Sequence, residues 1–521
     1  MKKRLPWIIE PEANPYTLNR LNLNKIRILI GIVVLIKLVF LGLMDLLPEE
    51  AYYWNYAQHL DIGYLDHSPM VAWLIYVSQA IFGKSEFAVR LPAFLSWFAM
   101  AYFMYKLSVK LFDRAVAVRV MLLVATLPIY FSVGFMMTPD APLYACWAGD
   151  LYYLELALVE QRRRAWLGVA LCTGLGLLSK YTIGLVVLAA VVYMIYDTKA
   201  RKWFYRPEPY LAAIIAALFF LPVIIWNYKH DWASFAFQST RRWGGNIKFS
   251  LHILIGEALI LLTPTGFIGA ILALVRRNHR KENTSPPDTL NHRHYSFIVV
   301  FTVIPLLVFV IQSLRSYSKL NWTGPVWLPI IPLIAAQMIV PWESISSATH
   351  RFLRKLWKPT FAVLIPFYFF GLLYISLGMP GFVPSSGLPF PTAWSNFANK
   401  VKQIDKNIEK SRSIDPFIVG LDKYWITSEL SFYNYNKGDA MQKYGGSGLF
   451  GGSSVMWNTW LPKSAAVGKD IILIGFSENS LKDYNVVKTF GNVSDIHREV
   501  IKKYNRVVGA FFWRIGYGYK L

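Results

Sequence analysis

The chain reads as a polytopic α-helical membrane protein with a small α/β domain at its C-terminal end. Three observations carry that reading. Hydrophobic residues fill 55% of the 521 positions and charged residues only 16%, against about 25% charged in ordinary soluble chains. The apolar residues run in stretches of about 20, the length that crosses a bilayer. Lys and Arg fall in short clusters between those stretches, as charges flanking membrane spans do. The formal net charge of +23 is therefore no nucleic-acid footprint, since the cations are not spread over one soluble face.

Taken in order, roughly eleven stretches satisfy the length rule. They are 26–47, 88–112, 115–137, 140–160, 165–179, 181–196, 209–227, 251–275, 296–313, 322–341 and 359–379. The fifth and sixth are short and share a break at Ser179–Lys180. The stretch 70–83 is apolar but too short to span, so it lies in the interface or re-enters the bilayer. Lys37 falls mid-helix, where a carboxylate partner in the bundle interior is expected. Cys146 and Cys172 both sit inside apolar runs and act as small hydrophobes. No cleavable signal peptide is expected, because about 25 mixed polar residues precede the first apolar run.

The cations set the orientation. Lys2, Lys3, Arg4, Lys25 and Arg27 precede the first span. Lys106, Lys110, Arg114 and Arg119 surround the second connection, and Arg162, Arg163 and Arg164 form the fourth. Lys199, Arg201, Lys202 and Arg206 form the sixth, and Arg276, Arg277, Arg280 and Lys281 the eighth. Arg351, Arg354, Lys355 and Lys358 form the tenth. Every second connection is basic and belongs in the cytoplasm. The loop 48–87, the Thr138–Pro139–Asp140 turn, the break at Lys180, the loop 228–250, the segment 314–321 and everything after about residue 380 then face outward.

Residues 1–380 accordingly form a membrane domain and 381–521 an external one. In the latter, 416–420 and 471–475 read as strands, 423–435 as a short helix, and 507–514 as a third strand. The insert 278–294, with Ser285–Pro286–Pro287, reads as a loop.

Candidate chemistry gathers on the outward face. Glu49 and Glu50 follow Pro48 at the mouth of the first span. One of two adjacent carboxylates can act as a base or cation ligand while the other orients it or holds a basic partner. The plainer reading is an acidic helix start. Asp66–His67 sits among tyrosines before Pro69, as a turn or as the lining of a pocket. Asp140 is an N-cap or a catalytic carboxylate. Lys180 lies at a broken helix, and broken helices at membrane depth line cavities. Its ammonium, with Tyr181 beside it, suits a lipid phosphate. Arg241, Arg242, Arg315 and Lys319 complete an external basic set fit for phosphate. His230–Asp231, and His252 with Glu257, match no metal-ligand spacing and are taken as pocket or surface residues. Glu49, Glu50, Asp66 and His67 are the candidates for a divalent cation, which the sequence does not require.

These residues lie in motifs that resemble a family. Glu49-Glu50-Ala51-Tyr52-Tyr53-Trp54, Gly63-Tyr64-Leu65-Asp66-His67-Ser68-Pro69 and Phe87-Ala88-Val89-Arg90-Leu91-Pro92 together resemble the bacterial polyprenyl-phosphate-sugar glycosyltransferases. That group includes the aminoarabinose transferases that modify lipid A and relates to the protein O-mannosyltransferases. Thr138-Pro139-Asp140-Ala141-Pro142, Leu178-Ser179-Lys180-Tyr181-Thr182 and Lys319-Leu320-Asn321-Trp322 continue the resemblance in order. Leu421-Asp422-Lys423-Tyr424 and Ser428-Glu429-Leu430-Ser431-Phe432-Tyr433 resemble the periplasmic domain of such enzymes.

The resemblance implies the GT-C membrane fold, with about 11–13 transmembrane helices and catalytic acids on the first external loop. It implies transfer of a sugar from undecaprenyl phosphate to an acceptor at the periplasmic face of a bacterial inner membrane. The N-terminus would be cytoplasmic and the C-terminal domain periplasmic. Glu49–Glu50 matches the family's acidic pair, usually Asp-Glu, so its first member is one methylene longer here. Asp66–His67 stands where the aminoarabinose transferases carry an acidic-basic pair, and Lys180 where they contact the carrier phosphate. Lipid A or lipopolysaccharide is the favoured acceptor, because the external cations suit an anionic glycolipid. A protein hydroxyl acceptor is the alternative. A lipid or solute transporter is a third reading, but it predicts inverted repeats and midplane charges that the chain lacks.

Overall fold

The computed structural model describes residues 20–243, 247–275, 290–317, 319–339, 347–377, 393–412, 414–435 and 443–521, with side chains 20–22, 240–243, 347 and 350 outside that description. The Ser285–Pro287 stretch and the cations Arg276, Arg277, Arg280 and Lys281 lie outside the described residues.

Proline and capping residues cut the apolar runs into helices. Helix α1 spans Arg20–Phe40. Helix α2 (Pro48–Gln58) starts on Pro48, whose missing N–H costs nothing in a first turn. Helix α3 is Met70–Phe82 and stops at Gly83, where φ is +73°. It packs between α2 and the next helix rather than spanning by itself. Helix α4 (Glu86–Leu111) is capped by the Ser85 hydroxyl, which accepts the Ala88 N–H. Helix α5 (Arg114–Thr126) is capped by Asp113, and Pro128 ends it and opens α6 (Pro128–Val133). The expected span 115–137 is thus broken in two, because a proline inside a helix removes a bond and clashes with the preceding turn.

Helix α7 (Asp140–Leu154) runs on into a π turn at Glu155–Val159. Helices α8 (Ala165–Ser179) and α9 (Gly184–Tyr196) flank the expected break, where Lys180 is extended with φ −161° and ψ 135°. Helix α10 is Pro207–Lys229, and α11 (Ala233–Trp243) is a helix inside what the sequence suggests is a loop. Helix α12 (Leu251–Leu274) kinks at Thr263, where φ is +64° just before Pro264. Helix α13 is His292–Ser313. The expected span 322–341 is not a regular helix. Pro325, Pro329 and Pro332 force a tight 3-10 stretch over Gly324–Ile330 and leave only a short α14 (Ile331–Gln337). Helix α15 is Ser347–Leu377.

Five helices, α4, α10, α12, α13 and the Arg351–Leu377 part of α15, are long and apolar enough to cross a bilayer among the described residues. Lys37 of α1 is fully buried, as expected, but its partner is no carboxylate. Its ammonium lies 4.1 Å from the Trp97 ring centre and 4.9 Å from that of Phe131, and it donates to the Tyr130 carbonyl at 3.4 Å. Aromatic faces and a carbonyl dipole replace the missing anion.

The C-terminal residues build a second layered unit. Helix α16 (Trp394–Arg412) and α17 (Trp425–Asn434) cover one face of a six-stranded sheet. Its strands are β1 (Phe417–Gly420), β2 (Tyr444–Gly446), β3 (Ile471–Gly475), β4 (Phe490–Val493), β5 (His497–Lys503) and β6 (Arg506–Tyr519). The order is β2-β1-β3-β6-β4, with β5 also on β6. β1 pairs in parallel with β2 and β3, whereas β6 runs antiparallel to β3, β4 and β5. The β3 run is buried along its whole length, as a central strand covered on both faces must be.

Helix α17 joins this unit to the membrane part by packing on α2. Asn55 of α2 donates to the Ser428 carbonyl at 3.3 Å and accepts from the Ser431 hydroxyl at 2.8 Å. The Tyr433 hydroxyl accepts the Leu46 N–H at 2.8 Å.

Candidate active site

Three segments far apart in the chain supply one polar centre. Asp140 is the first residue of α7, Lys180 lies in the α8–α9 break, and Asn321 sits in the 3-10 turn Leu320–Trp322. The Lys180 ammonium donates to one Asp140 oxygen at 2.8 Å, and the Asn321 amide donates to the other at 2.6 Å. Lys180 is 12% exposed and Asp140 7% at the side chain, so the pair is largely shielded from water. The break makes this possible. A lysine continuing α8 would follow the helix surface, whereas an extended residue can turn its side chain toward α7.

Lys180 also lines a cavity with His67, Ser68, Tyr181, Thr182 and Gln238. The expected phosphate-binding residues His67, Lys180 and Tyr181 are therefore brought to one opening. Tyr181 shares a hydrogen bond with Ser234 at 3.2 Å. The His67 ring meets the Tyr53 ring edge-on, with centres 5.5 Å apart.

Asp66 lies behind this opening. Its carboxylate accepts from the Tyr52 hydroxyl at 3.1 Å and from the Tyr56 hydroxyl, and Gln238 donates to its backbone carbonyl at 2.6 Å. Burial lifts its carboxyl above the usual range, and the two phenol bonds pull it part of the way back. Tyr53 stands at the focus of the group. Burial first, then the charge of Asp66, Tyr424, Asp140 and Glu49, holds its phenol well above its usual value.

The two expected catalytic glutamates have different surroundings. Glu50 is fully buried and ion-paired to fully buried Arg90 at 2.6 Å. It also accepts the Leu47 N–H at 3.0 Å and the Met137 N–H at 3.0 Å. Arg90 spends its other donors on the carbonyls of Leu41, Met44 and Asp45. This network ties the end of α1, the start of α2, α4 and the segment before α7 together. Glu50 is thus the member that holds a basic partner. Glu49 is half-buried, and the Tyr424 hydroxyl of the C-terminal unit donates to it at 3.4 Å.

The remaining candidates are more scattered. Arg241 and Arg242 belong to α11 by backbone, and their side chains lie outside the described residues. Arg315 is exposed just beyond α13, its carbonyl accepting the Lys248 N–H at 2.9 Å. Lys319 is exposed two residues before Asn321. For a cation, Glu50 and Asp66 have committed oxygens to Arg90 and to two tyrosines. Among the described residues, one group of carboxylates has ligand-like spacing, Asp405, Glu409 and Asp415, and it closes on the Lys443 ammonium at 2.5–2.8 Å.

Sequence reading did not single out Asn321 or Arg90, though both lie in the quoted motifs. The signal for Arg90 was present: an arginine inside an apolar helix needs a carboxylate, and Glu50 was the candidate nearby. Nothing in the sequence singled out Tyr53 or Gln238, whose roles arise only from tertiary placement.

The chain is similar to known proteins both in sequence and in fold. A family model described as dolichyl-phosphate-mannose-protein mannosyltransferase matches residues 66–226. An undecaprenyl phosphate-alpha-4-amino-4-deoxy-L-arabinose arabinosyl transferase of Proteus mirabilis is 27% identical over 52% of this chain and 50% of its own length. The lipid A galacturonosyltransferase RgtD of Rhizobium johnstonii is 29% identical over 36% of this chain and 39% of its own. The chain thus spans half or less of the length of these curated relatives. Crystal structures of ArnT from Cupriavidus metallidurans superpose over 94% of this chain and 98% of theirs. The TM-score is 0.62 for the apo state at 13% identity and 0.60 for the form bound to undecaprenyl phosphate at 14%. Over nearly its whole length the chain thus has the fold of ArnT, and over about half of it or less it is similar in sequence to curated glycosyltransferases.

Proposed function

We propose that this protein transfers a sugar from a polyprenyl phosphate to lipid A or lipopolysaccharide at the periplasmic face of a bacterial inner membrane. The observation that carries the reading is the Lys180–Asp140–Asn321 centre opening into the His67, Tyr181 and Gln238 cavity. A buried ammonium held by a carboxylate, at a helix break, is suited to receive a lipid phosphate at headgroup depth. The names of the relatives support the donor and acceptor class.

The chemistry is a displacement at the anomeric carbon. The acceptor oxygen forms its bond to that carbon as the bond to the carrier phosphate breaks, with inversion. The bonding pair leaves on the phosphate oxygen, where the Lys180 charge stabilises it. Glu49 takes the acceptor proton, since Asp140 is engaged with Lys180 and Asn321, and Glu50 with Arg90. Asp140 and Asn321 position Lys180. Glu49 would also be the carboxylate to hold a divalent cation, but the displacement as written needs none.

The charge pattern supports this sidedness. The ends of α4, α7, α10 and α13 remote from the C-terminal unit hold the ion pairs Lys110–Glu160, Arg163–Glu208 and Arg293–Asp197. Basic connections at that end favour the cytoplasmic side, which supports a periplasmic position for Asp140, Lys180 and the C-terminal unit.

Mass spectrometry of lipid A and of envelope glycoproteins, from cells with and without the gene, tests the reading. A sugar mass missing from lipid A, restored by the wild-type gene and not by Lys180→Ala, is the expected result. A loss confined to glycoproteins would overturn the acceptor, and no loss in either would overturn the function.

A further inference from the structure

A second pocket of about 420 Å³ lies on the same face, away from Lys180. This falls within the range of about 300–1,000 Å³ typical of small-molecule sites. Three parts of the chain meet there. The end of α2 and the turn after it supply Gln58, His59 and Asp61, and the end of α10 supplies Trp226 and His230. The helical turn Trp457–Trp460 of the C-terminal unit supplies Trp460.

The polar lining is built to accept hydrogen bonds. The Nδ1 of His59 lies 3.0 Å from the Asn55 carbonyl, and that of His230 lies 2.8 Å from the Trp226 carbonyl. A carbonyl can only accept, so each Nδ1 carries the proton, and in a neutral ring the Nε2 is then an acceptor. Burial lowers the His59 imidazole below its usual value, which favours the neutral ring. Asp61 is exposed and accepts the Trp226 indole N–H at 2.8 Å. Among the described residues, no Lys or Arg lines the pocket. Its walls are flat rings: Trp460 stacks on His59 with centres 4.4 Å apart, and Trp226 on His230 at 4.0 Å.

Acceptors without cations, between flat rings, select a ligand rich in hydroxyl or ammonium donors and reject phosphate or carboxylate. We propose that this pocket binds an uncharged or amino sugar of the acceptor glycan. It rests on the transferase reading above and assigns to the acceptor a subsite separate from the anion site at Lys180. A line of contacting residues runs between the two sites. Tyr64 lines the new pocket and stacks on Tyr56 at 4.0 Å, Tyr56 bonds Asp66, and His67 lines the Lys180 cavity. An acceptor seated here would extend along these residues toward the reacting centre.

Saturation-transfer NMR on the full chain in nanodiscs, with free glucose, glucosamine and glucuronate as probes, tests the pocket without any turnover. Signal from glucose and glucosamine but not glucuronate is expected, and its loss in Asp61→Asn and in His230→Gln. Kinetics then test its use: Asp61→Asn should raise the acceptor KM about tenfold, the value of one lost hydrogen bond, with donor KM unmoved. Equal signal from glucuronate, no signal from either neutral or amino sugar, or retained signal in both variants overturns the pocket. Signal with the expected selectivity in a protein that transfers no sugar would sink the transferase reading and leave the pocket standing.

Discussion

Lys180 and Asp140 meet at 2.8 Å although 40 positions separate them in the chain. The contact depends on two local departures from helix: the break after Ser179 and the helix start at Asp140. Each is cheap alone, and together they place a shielded cation beside an open cavity.

The cation, not its shape, should matter. Lys180→Gln keeps a donor for Asp140 but no charge, so it should fold as the wild type does. Its transfer rate should fall about 10²–10³-fold, the usual loss for one transition-state donor. Lys180→Arg should retain part of the activity. Turnover with a purified polyprenyl-phosphate sugar measures both, and a Lys180→Gln enzyme of normal rate would remove Lys180 from the chemistry.

Glu49 and Glu50 should part company in the same assay. Glu49→Gln should lower turnover by about 10²-fold or more, as loss of a general base does, with an unchanged melting temperature. EDTA should leave wild-type turnover intact if Glu49 works as a base alone. Loss of activity on chelation, restored by a divalent cation, would instead make Glu49 a metal ligand.

Much of this site was legible before the structure, and for a physical reason. Charged residues are so costly in an apolar chain that Glu49, Glu50, Asp140 and Lys180 stood out singly. Their pairing was not legible, because helix packing sets which charge meets which. Lys37 makes the point: burial was expected, but the rings of Trp97 and Phe131 took the place of the carboxylate. The break at Lys180 was visible from two short apolar runs. The irregular backbone at Gly324–Ile330 was hidden, because an apolar run with three prolines still counts as apolar. In the C-terminal unit the buried strands β1 and β3 announced themselves by composition. The exposed β4 and β5 did not, since their partner β6 decides their conformation.

The Glu50–Arg90 pair should govern stability more than rate. Both side chains are fully buried, so removing one strands the other charge. Glu50→Ala or Arg90→Ala should each cost about 3–5 kcal/mol, seen as a lower melting temperature in detergent. The double variant should lose less than the sum, because neither orphan charge then remains. Additive losses would mean that the two residues act independently.

Glu429 should give the protein a pH-dependent stability of unusual sign. It is fully buried in α17, and neither carboxyl oxygen has a hydrogen-bond partner among the described residues. Burial, then the nearby Asp45 and Glu50, hold its carboxyl well above the ordinary value, against a smaller opposing pull from Arg90. The folded state therefore keeps a proton that the unfolded chain releases. Stability contributed by that proton is complete below the ordinary glutamate value and declines as pH rises toward the folded one. Glu429→Gln carries no proton to lose, so its melting temperature should exceed that of wild type at pH 7–8. The two curves should converge near pH 4, where the wild-type carboxyl is protonated in both states. A Glu429→Gln protein that melts at or below wild type across the whole range would mean that Glu429 is ionised in the fold and that Arg90 outweighs its burial.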